Sequence, residues 1–332
     1  ATVDENVAWR YMFALGIILP CVVIYLASFV MPESPRWLVT NNREEEAREV
    51  LQSVYPEGYD VNMIVYEIKD DIKKEEIAEH RHGWGVILHP SPAYKRMLLV
   101  GVGTAIAQQA VGIDAILYFM VFILDQSGIT SRVTQMWILV GLGLVKLCVI
   151  FVAGLLLDKT GRRPLMFISL LGMSVSFIIV SLSFIGGTTT AASETAVIVG
   201  LALYLAFFSI GMGPATWTIA SEVFTTTIRA KAMSLATFGN RATATIFSSS
   251  FLSVANAMGW SPFFIMMAVV CLVILVWIYI YLPETKGRHL EEMAQYFAEI
   301  TGDASVIEAE RALHDRRGGG VDDDDDENPQ SE

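Results

Sequence analysis

The sequence has little charge and few of the residues that bind metal ions or form disulfides. Charged residues make up 17% of its 332 residues and hydrophobic residues 53%, whereas a soluble domain of this size carries more charge. Cys21, Cys148 and Cys271 all stand in apolar runs, so we expect no disulfide framework. The five histidines show no spacing typical of metal ligands.

Motifs for catalysis are also absent from the sequence. No catalytic triad, phosphate-binding loop or metal-ligand cluster is recognisable, so we expect no enzyme activity, no cofactor and no metal. The formal net charge of −12 indicates little about partners, because a run of acidic residues at 322–327 supplies much of it. No nucleic-acid partner is expected.

Long apolar runs dominate what is present. Seven of them reach at least about 20 residues, the length that a helix needs to cross ~30 Å of hydrocarbon. They cover residues 11–31, 97–124, 134–157, 165–185, 195–221, 231–256 and 262–282. We therefore predict a multi-pass membrane protein in which Gly101, Gly103, Gly141 and Gly143 allow close contacts between helices.

Positive charge is nearly missing from every second segment between the runs. Most of the 23 Lys and Arg residues fall in alternate segments, and the intervening segments hold only Arg10 and Arg132. Cytoplasmic loops are the ones enriched in Lys and Arg. The pattern predicts an outside N-terminus and a cytoplasmic C-terminus, and we expect the plasma membrane rather than an organelle membrane.

The segment 32–96 after the first run is charged and is expected to be helical. Asp60 is a suitable helix N-cap, and the apolar residues after it recur on one helix face. Those residues are Val61, Ile64, Ile68 and Ile72. A solvated charged linker is the alternative. Residues from Leu290 to about Leu313 predict a further amphipathic helix, and 315–332 predict an acidic, disordered tail.

Two related motifs close the first and last runs. Pro32-Glu-Ser-Pro-Arg36 and Pro283-Glu-Thr-Lys-Gly-Arg288 both place Pro at a helix end and Glu shortly before Arg. Six spans lead from one motif to the other. This weak repeat predicts two six-helix halves, with five helices of the first half absent from this chain.

Four motifs together resemble those of the sugar porter family of the major facilitator superfamily. They are Pro-Glu-Ser-Pro-Arg-Trp-Leu at 32–38, Asp-Lys-Thr-Gly-Arg-Arg-Pro at 158–164, Gly-Met-Gly-Pro-Ala-Thr-Trp at 211–217 and Pro-Glu-Thr-Lys-Gly-Arg at 283–288. Gln108-Gln109, Asp114, Lys146 and Asn240-Arg241 look most like plant-type polyol/monosaccharide–proton symporters. Facilitative glucose carriers usually have Asn at the positions of Asp114 and Lys146. The two charged residues therefore argue against simple uniport.

The resemblance implies an all-α membrane fold of the major facilitator type, with the sugar bound between two bundles. Residues 1–31 would be the last span of the N-terminal bundle, 32–96 a cytoplasmic helical insert and 97–282 the C-terminal six-helix bundle. A cytoplasmic helix at 283–314 and a disordered tail at 315–332 would follow. Implied partners are a sugar or polyol, a proton, the lipid bilayer and the N-terminal bundle.

The implied function is secondary active transport of a monosaccharide or polyol by alternating access, through proton symport. A facilitative uniporter, a non-transporting sugar sensor and an incomplete fragment remain alternatives. By resemblance, Gln108, Gln109, Asp114, Trp217 and Asn240 match sugar-contacting positions. Tyr118 lies about one helical turn beyond Asp114 and is added on that ground. Interhelical hydrogen bonds or packing would explain the same residues without a substrate.

Three charges within the runs are costly at membrane depth and are expected to face a cavity or to pair. Counted at ~1.5 Å per residue, Asp114 lies ~27 Å from the cytoplasmic side, and Lys146 and Arg241 lie ~18 Å from it. A long Lys side chain bridges most of that offset, which favours an Asp114–Lys146 pair. The pair could be purely structural, or Asp114 could carry the coupled proton.

Acids and cations recur together at the cytoplasmic ends of the spans. In the family these positions form an inner network that closes the cytoplasmic side, whereas the cations alone would also follow from topology. The predicted cytoplasmic gate consists of Glu33, Arg36, Asp158, Arg162, Arg163, Glu222, Arg229, Glu284 and Arg288.

Overall fold

The computed structural model describes residues 5–56, 58–82, 84–185, 191–225, 228–287 and 290–307. All regular structure in these ranges is helical. The described residues up to Arg81 form one compact unit and those from His82 onward form another. The predicted acidic tail at 315–332 lies outside the described residues.

The N-terminal unit holds four helices and a small apolar core. The helices are α1 (Glu5–Phe29), α2 (Pro35–Thr40), α3 (Glu44–Val54) and α4 (Val61–His82). The predicted cap of α4 is confirmed, because Asp60 Oδ1 accepts hydrogen bonds from the backbone N–H groups of Asn62 and Met63. The predicted apolar face of α4 packs against a core of Leu38, Val39, Ala47, Leu51 and Val65. The segment is therefore folded helices rather than a linker.

The second unit contains the remaining eleven helices that the described residues form. They are α5 (Gly85–Leu88), α6 (Pro92–Ala110), α7 (Ile113–Tyr118), α8 (Met120–Gln126), α9 (Arg132–Thr160), α10 (Arg162–Ser183), α11 (Ala191–Ile210), α12 (Met212–Val223), α13 (Arg229–Met258), α14 (Trp260–Tyr281) and α15 (Leu290–Thr301). The α10 helix packs against α11 and α14, and α6 packs against α12 and α13.

Within the described residues, five stretches are long and apolar enough to cross a membrane. They are Pro92–Tyr118, Arg132–Leu157, Arg162–Ser183, Ala191–Val223 and Trp260–Tyr281. The other two predicted spans are also helical. The apolar part of α1 is shorter, at Phe13–Phe29, and α13 carries Asn240, Arg241 and many Ser and Thr residues, which lower its hydropathy.

Two of the predicted spans are broken. The run 97–124 was expected to be one helix, but it is interrupted at Val111 and Gly112 and again at Phe119. Gly112 has φ 84°, a backbone conformation that suits glycine. The fifth span is broken at Gly211, since α11 ends at Ile210 and α12 begins at Met212.

The C-terminal helix α15 contacts α6 and α12. Its apolar face buries Met293, Ala294, Phe297 and Ala298, as the amphipathic pattern predicts. The helix ends at Thr301, earlier than expected. Asp303 follows it and accepts a hydrogen bond from the Ala93 backbone N–H in the first turn of α6, at 3.2 Å.

Candidate substrate site and cytoplasmic network

Gln108 joins α6 to the break between α11 and α12. Its side-chain Nε2 donates hydrogen bonds to the carbonyl oxygens of Met212 (3.1 Å) and Gly213 (2.9 Å). Its Oε1 accepts one from Asn240 Nδ2 at 3.0 Å. Met212 and Gly213 form the first turn of α12, so Gln108 ties α6 to the helix that begins directly after the break.

Asn240 stands at the centre of the α6–α13 contact and is fully buried. Its Nδ2 also donates to the Ala105 carbonyl at 2.8 Å. Its Oδ1 accepts from Gln109 Nε2 at 3.3 Å and from the Arg241 guanidinium, through Nη2 at 2.6 Å and Nε at 3.0 Å. The side chain therefore ties α6 to α13 and holds the arginine.

Arg241 is the ionic partner of Asp114. Its Nη1 lies 3.5 Å from Asp114 Oδ2. Of the Arg241 side chain, 61% is exposed, compared with 24% of the Asp114 side chain. The fork of donors on a guanidinium allows one arginine to bind an amide oxygen and a carboxylate together.

The predicted pairing of Asp114 with Lys146 is wrong in this structure. No ion pair joins those two side chains among the described residues, and Arg241 takes the place of the lysine. Depth along a straight helix was a poor guide, because the chain breaks at Gly112 just before Asp114. Moreover α13, which carries Arg241, packs against α7, whereas α9, which carries Lys146, packs mainly against α11.

The other predicted substrate residues differ in their surroundings. Gln109 is buried and its Oε1 has no hydrogen-bond partner in the part of the chain that the structure describes. Trp217 is partly buried on α12. Tyr118, at the end of α7, is 73% exposed. Gln108, Gln109, Asn240, Arg241 and Asp114 thus form one connected network, which Tyr118 and Trp217 do not join by a described hydrogen bond.

Sequence reasoning missed two side chains that support the helix breaks. The Tyr204 hydroxyl donates to the Val111 carbonyl at 3.0 Å, and the Ser169 hydroxyl accepts from the Met212 backbone N–H at 3.2 Å. Both satisfy backbone groups that a broken helix leaves unpaired. The only available signal was general: any break inside a membrane helix needs such partners.

Apart from this network, Glu284 caps α10. Its Oε1 accepts a hydrogen bond from the backbone N–H of Arg162 (3.1 Å) and its Oε2 accepts one from that of Arg163 (3.2 Å). A carboxylate at a helix N-terminus is favoured by the unpaired N–H groups and by the helix dipole. The predicted gate residue Glu284 therefore meets Arg162 and Arg163 through their backbone N–H groups.

The side chains of both arginines have further partners. Arg162 Nη2 donates to Glu222 Oε1 at 2.7 Å. Arg163 Nη2 donates to the Tyr279 carbonyl at 2.7 Å, and its guanidinium lies 5.6 Å from the ring centre of Phe167. Glu222 thus connects α12 to α10.

The remaining gate residues are only partly placed with this cluster. Arg229 donates from Nε to the Phe224 carbonyl at 3.3 Å. Glu33 and Arg36 belong to the N-terminal unit. The side chain of Asp158, and Arg288 as a whole, lie outside the described residues.

No group of three His, Cys, Asp or Glu residues suited to a metal ion occurs within the ranges that the structure describes.

Comparison with known proteins places this chain in a family. Residues 1–297 match the family described as "Sugar (and other) transporter". Among curated relatives, "Probable polyol transporter 4" of Arabidopsis thaliana is 36% identical over 314 residues, covering 93% of this chain and 59% of that protein. "Glucose transporter GlcP" of Staphylococcus epidermidis is 32% identical over 296 residues, covering 89% and 64%.

Solved structures show the same fold. The proton:xylose symporter XylE, bound to 6-bromo-6-deoxy-D-glucose, matches with a TM-score of 0.69 at 24% identity over 89% of this chain and 61% of that one. Its inward-open form, from E. coli, matches with a TM-score of 0.66. The chain spans about three fifths of the length of these proteins. Its helices are those of the major facilitator fold, and the chain belongs to the sugar transporter family.

Proposed function

We propose that this chain takes part in secondary active transport of a monosaccharide or polyol, by alternating access and through proton symport. The observation that carries the proposal is the polar network of Gln108, Gln109, Asn240, Arg241 and Asp114, which meets at two helix breaks inside an apolar bundle. Discontinuous helices at the centre of a bundle are where many secondary transporters bind their substrates and coupling ions. The polyol and sugar transporters among its relatives support this substrate class.

The proposed substrate-binding residues are Gln108, Gln109, Asp114, Tyr118, Trp217 and Asn240, and the proposed coupling charges are Asp114, Lys146 and Arg241. A polyol needs hydrogen-bond donors, acceptors and an apolar surface for its C–H groups. Arg241, Asp114 and the unpaired Gln109 Oε1 supply the first two, and Trp217 is the proposed apolar face. The transporter family to which the chain belongs argues against an enzyme.

Alternating access also requires a side that closes. In the second unit, the Glu284, Arg162 and Glu222 cluster is the proposed part of the cytoplasmic gate. Glu33 and Arg36 are the gate residues proposed for the N-terminal unit. The proposed orientation places this cluster and the C-terminus in the cytoplasm of a plasma-membrane protein, in line with the surplus of Lys and Arg in those segments. Access of a membrane-impermeant reagent to a cysteine introduced near residue 300 tests the orientation.

Uptake tests the function. The protein expressed from its complete coding sequence is reconstituted into liposomes with labelled glucose, mannitol or myo-inositol outside. We expect saturable uptake that exceeds equilibrium when the outside is acidic, and uptake only to equilibrium when the proton gradient is collapsed. Uptake that never exceeds equilibrium would favour a uniporter, and binding without uptake would favour a sensor.

The same assay on residues 1–332 alone tests whether this stretch is sufficient. Alternating access as proposed needs two bundles around one site, so we expect no saturable uptake from it.

A further inference from the structure

The amide donors of the network are committed to the protein itself. Gln108 Nε2 has two N–H groups and donates to two carbonyls at the α11–α12 break. Asn240 Nδ2 also has two and donates to Ala105 O and Gln108 Oε1. Neither side chain has an N–H group left for a ligand. Both therefore brace the helices in this arrangement, and either would donate to a substrate only after releasing one of these bonds.

The charged pair is in the opposite situation. The Arg241 side chain is more than half exposed, and two of its nitrogens are fixed on Asn240 Oδ1 while the third faces Asp114. Asp114 keeps one carboxylate oxygen outside the ion pair. A guanidinium held at Nε and Nη2 by one amide oxygen has little freedom to reorient, so its remaining N–H groups are presented in a fixed direction.

We propose that Arg241, acting with Asp114, is the specificity-determining residue of this half of the site and selects substrates that carry two adjacent hydroxyl groups. This rests on the proposed function. The two hydroxyls donate to the carboxylate of Asp114 and accept from the free N–H groups of Arg241. The two charges cancel, so the site suits an uncharged sugar or polyol, and hydrogen bonds to ionised groups are stronger than those between neutral groups.

The test measures discrimination rather than activity alone. In the protein expressed from its complete coding sequence, D-glucose and D-sorbitol are each compared with their 2-deoxy and 3-deoxy analogues as competitors of labelled uptake. We expect the unchanged protein to prefer a parent over the analogue that lacks a bound hydroxyl by about tenfold or more, since a hydrogen bond to a charged group is worth at least that factor.

In Arg241→Gln and Asp114→Asn this preference should fall toward unity. Arg241→Lys keeps the charge but loses the fork, so it should lie between them and the unchanged protein. Gln108→Leu should reduce uptake of parent and analogue alike and leave their ratio unchanged. Lys231→Gln, a cation ten positions earlier on α13, is the matched control and should change neither uptake nor ratio.

The outcomes separate this inference from the proposed function. If the discrimination ratio of all three Arg241 and Asp114 variants equals that of the unchanged protein, the role given to Arg241 is overturned and the proposed function still stands. A ratio that collapses in Gln108→Leu would do the same, because it would return substrate contact to the amide. Absence of any sugar or polyol uptake by the unchanged protein would overturn both. Ratios are taken from variants that reach the membrane, and the conservative Arg241→Lys and Asp114→Asn keep the test open if Arg241→Gln fails to fold.

Discussion

Glu284 fills the space beside Gly161. A Cβ atom added to Gly161 would lie 3.0 Å from Glu284 Oε2 and 3.1 Å from its Oε1. Gly161 has φ 96°, and it directly precedes the first turn of α10, which Glu284 caps. Two motifs that stand more than 100 residues apart in the sequence therefore form one structural unit, in which the glycine of one makes room for the carboxylate of the other.

Gly161→Ala should destabilise the bundle in two ways. A side chain at positive φ costs about 1 kcal/mol, and crowding against the carboxylate should add about another 1 kcal/mol because it displaces the helix cap. We expect a lower thermal midpoint of the detergent-solubilised protein. Gly287→Ala is the matched control, since Gly287 has φ 74° and no described atom lies within 4 Å of the position that a Cβ would take there. Equal losses from the two variants would contradict a role for Glu284.

The Arg162–Glu222 ion pair should be strongly coupled. The side chains are 14% and 24% exposed, so neither charge is well solvated when its partner is removed. A double-mutant cycle with Arg162→Ala and Glu222→Ala should give a coupling energy of about 1–3 kcal/mol in thermal or chemical unfolding. The exposed pair Arg43–Glu46 is the control and should show a smaller coupling. Additive losses of stability at Arg162 and Glu222 would mean that the two side chains do not stabilise each other. The position of Arg162 would then be explained by membrane topology alone.

Local patterns predicted the N-terminal unit well. The cap at Asp60 and the apolar face of α4 depend only on residues close in sequence, and both are confirmed. The break at Gly211 also has a local cause, because glycine and proline within one turn weaken a helix.

Contacts between helices were predicted less well. Gly101 and Gly103 do allow close packing, since a side chain at either would overlap with Phe224 or Trp277. Gly141 and Gly143 do not, as no described atom lies within 4 Å of a side chain built there. All four look alike in sequence, and the difference depends on which helix face meets a neighbour. The Asp114–Arg241 pair was missed for a related reason, because the break at Gly112 changes the direction of the chain before Asp114.

Asp303 should anchor α15 to α6 over a wide pH range. Hydrogen bonding by Ser91, and then by Ser305 and the Ala93 N–H, lowers the pKa of Asp303 to about 2. A carboxyl group with a lowered pKa stabilises the folded form fully above its unfolded pKa of ~3.9 and loses that effect as the pH falls toward 2. Docking of α15 should therefore be constant from about pH 5 to 8 and weaken only below about pH 4.

Hydrogen exchange of residues 290–301, corrected for the intrinsic effect of pH, measures this docking. Asp303→Asn should raise exchange at pH 7 by an amount equivalent to about 1 kcal/mol, because an uncharged cap binds the N-terminus of α6 less well. Glu299→Gln, an exposed residue of α15, is the control and should leave exchange unchanged. Exchange that rises already between pH 7 and pH 5 would contradict the lowered pKa.

The two candidate partners of Asp114 can be separated by paired double-mutant cycles. Arg241 lies 3.5 Å from Asp114 and holds Asn240 as well, so removing one charge leaves the other without its partner in a bundle of low polarity. Asp114→Asn and Arg241→Gln should each lower the thermal midpoint, and the double variant should recover part of the loss, with a coupling energy of about 1 kcal/mol or more. The cycle of Asp114→Asn with Lys146→Met should be additive within about 0.5 kcal/mol. A larger coupling to Lys146 than to Arg241 would show that the lysine is the partner of Asp114, and would restore the pairing that the sequence favours.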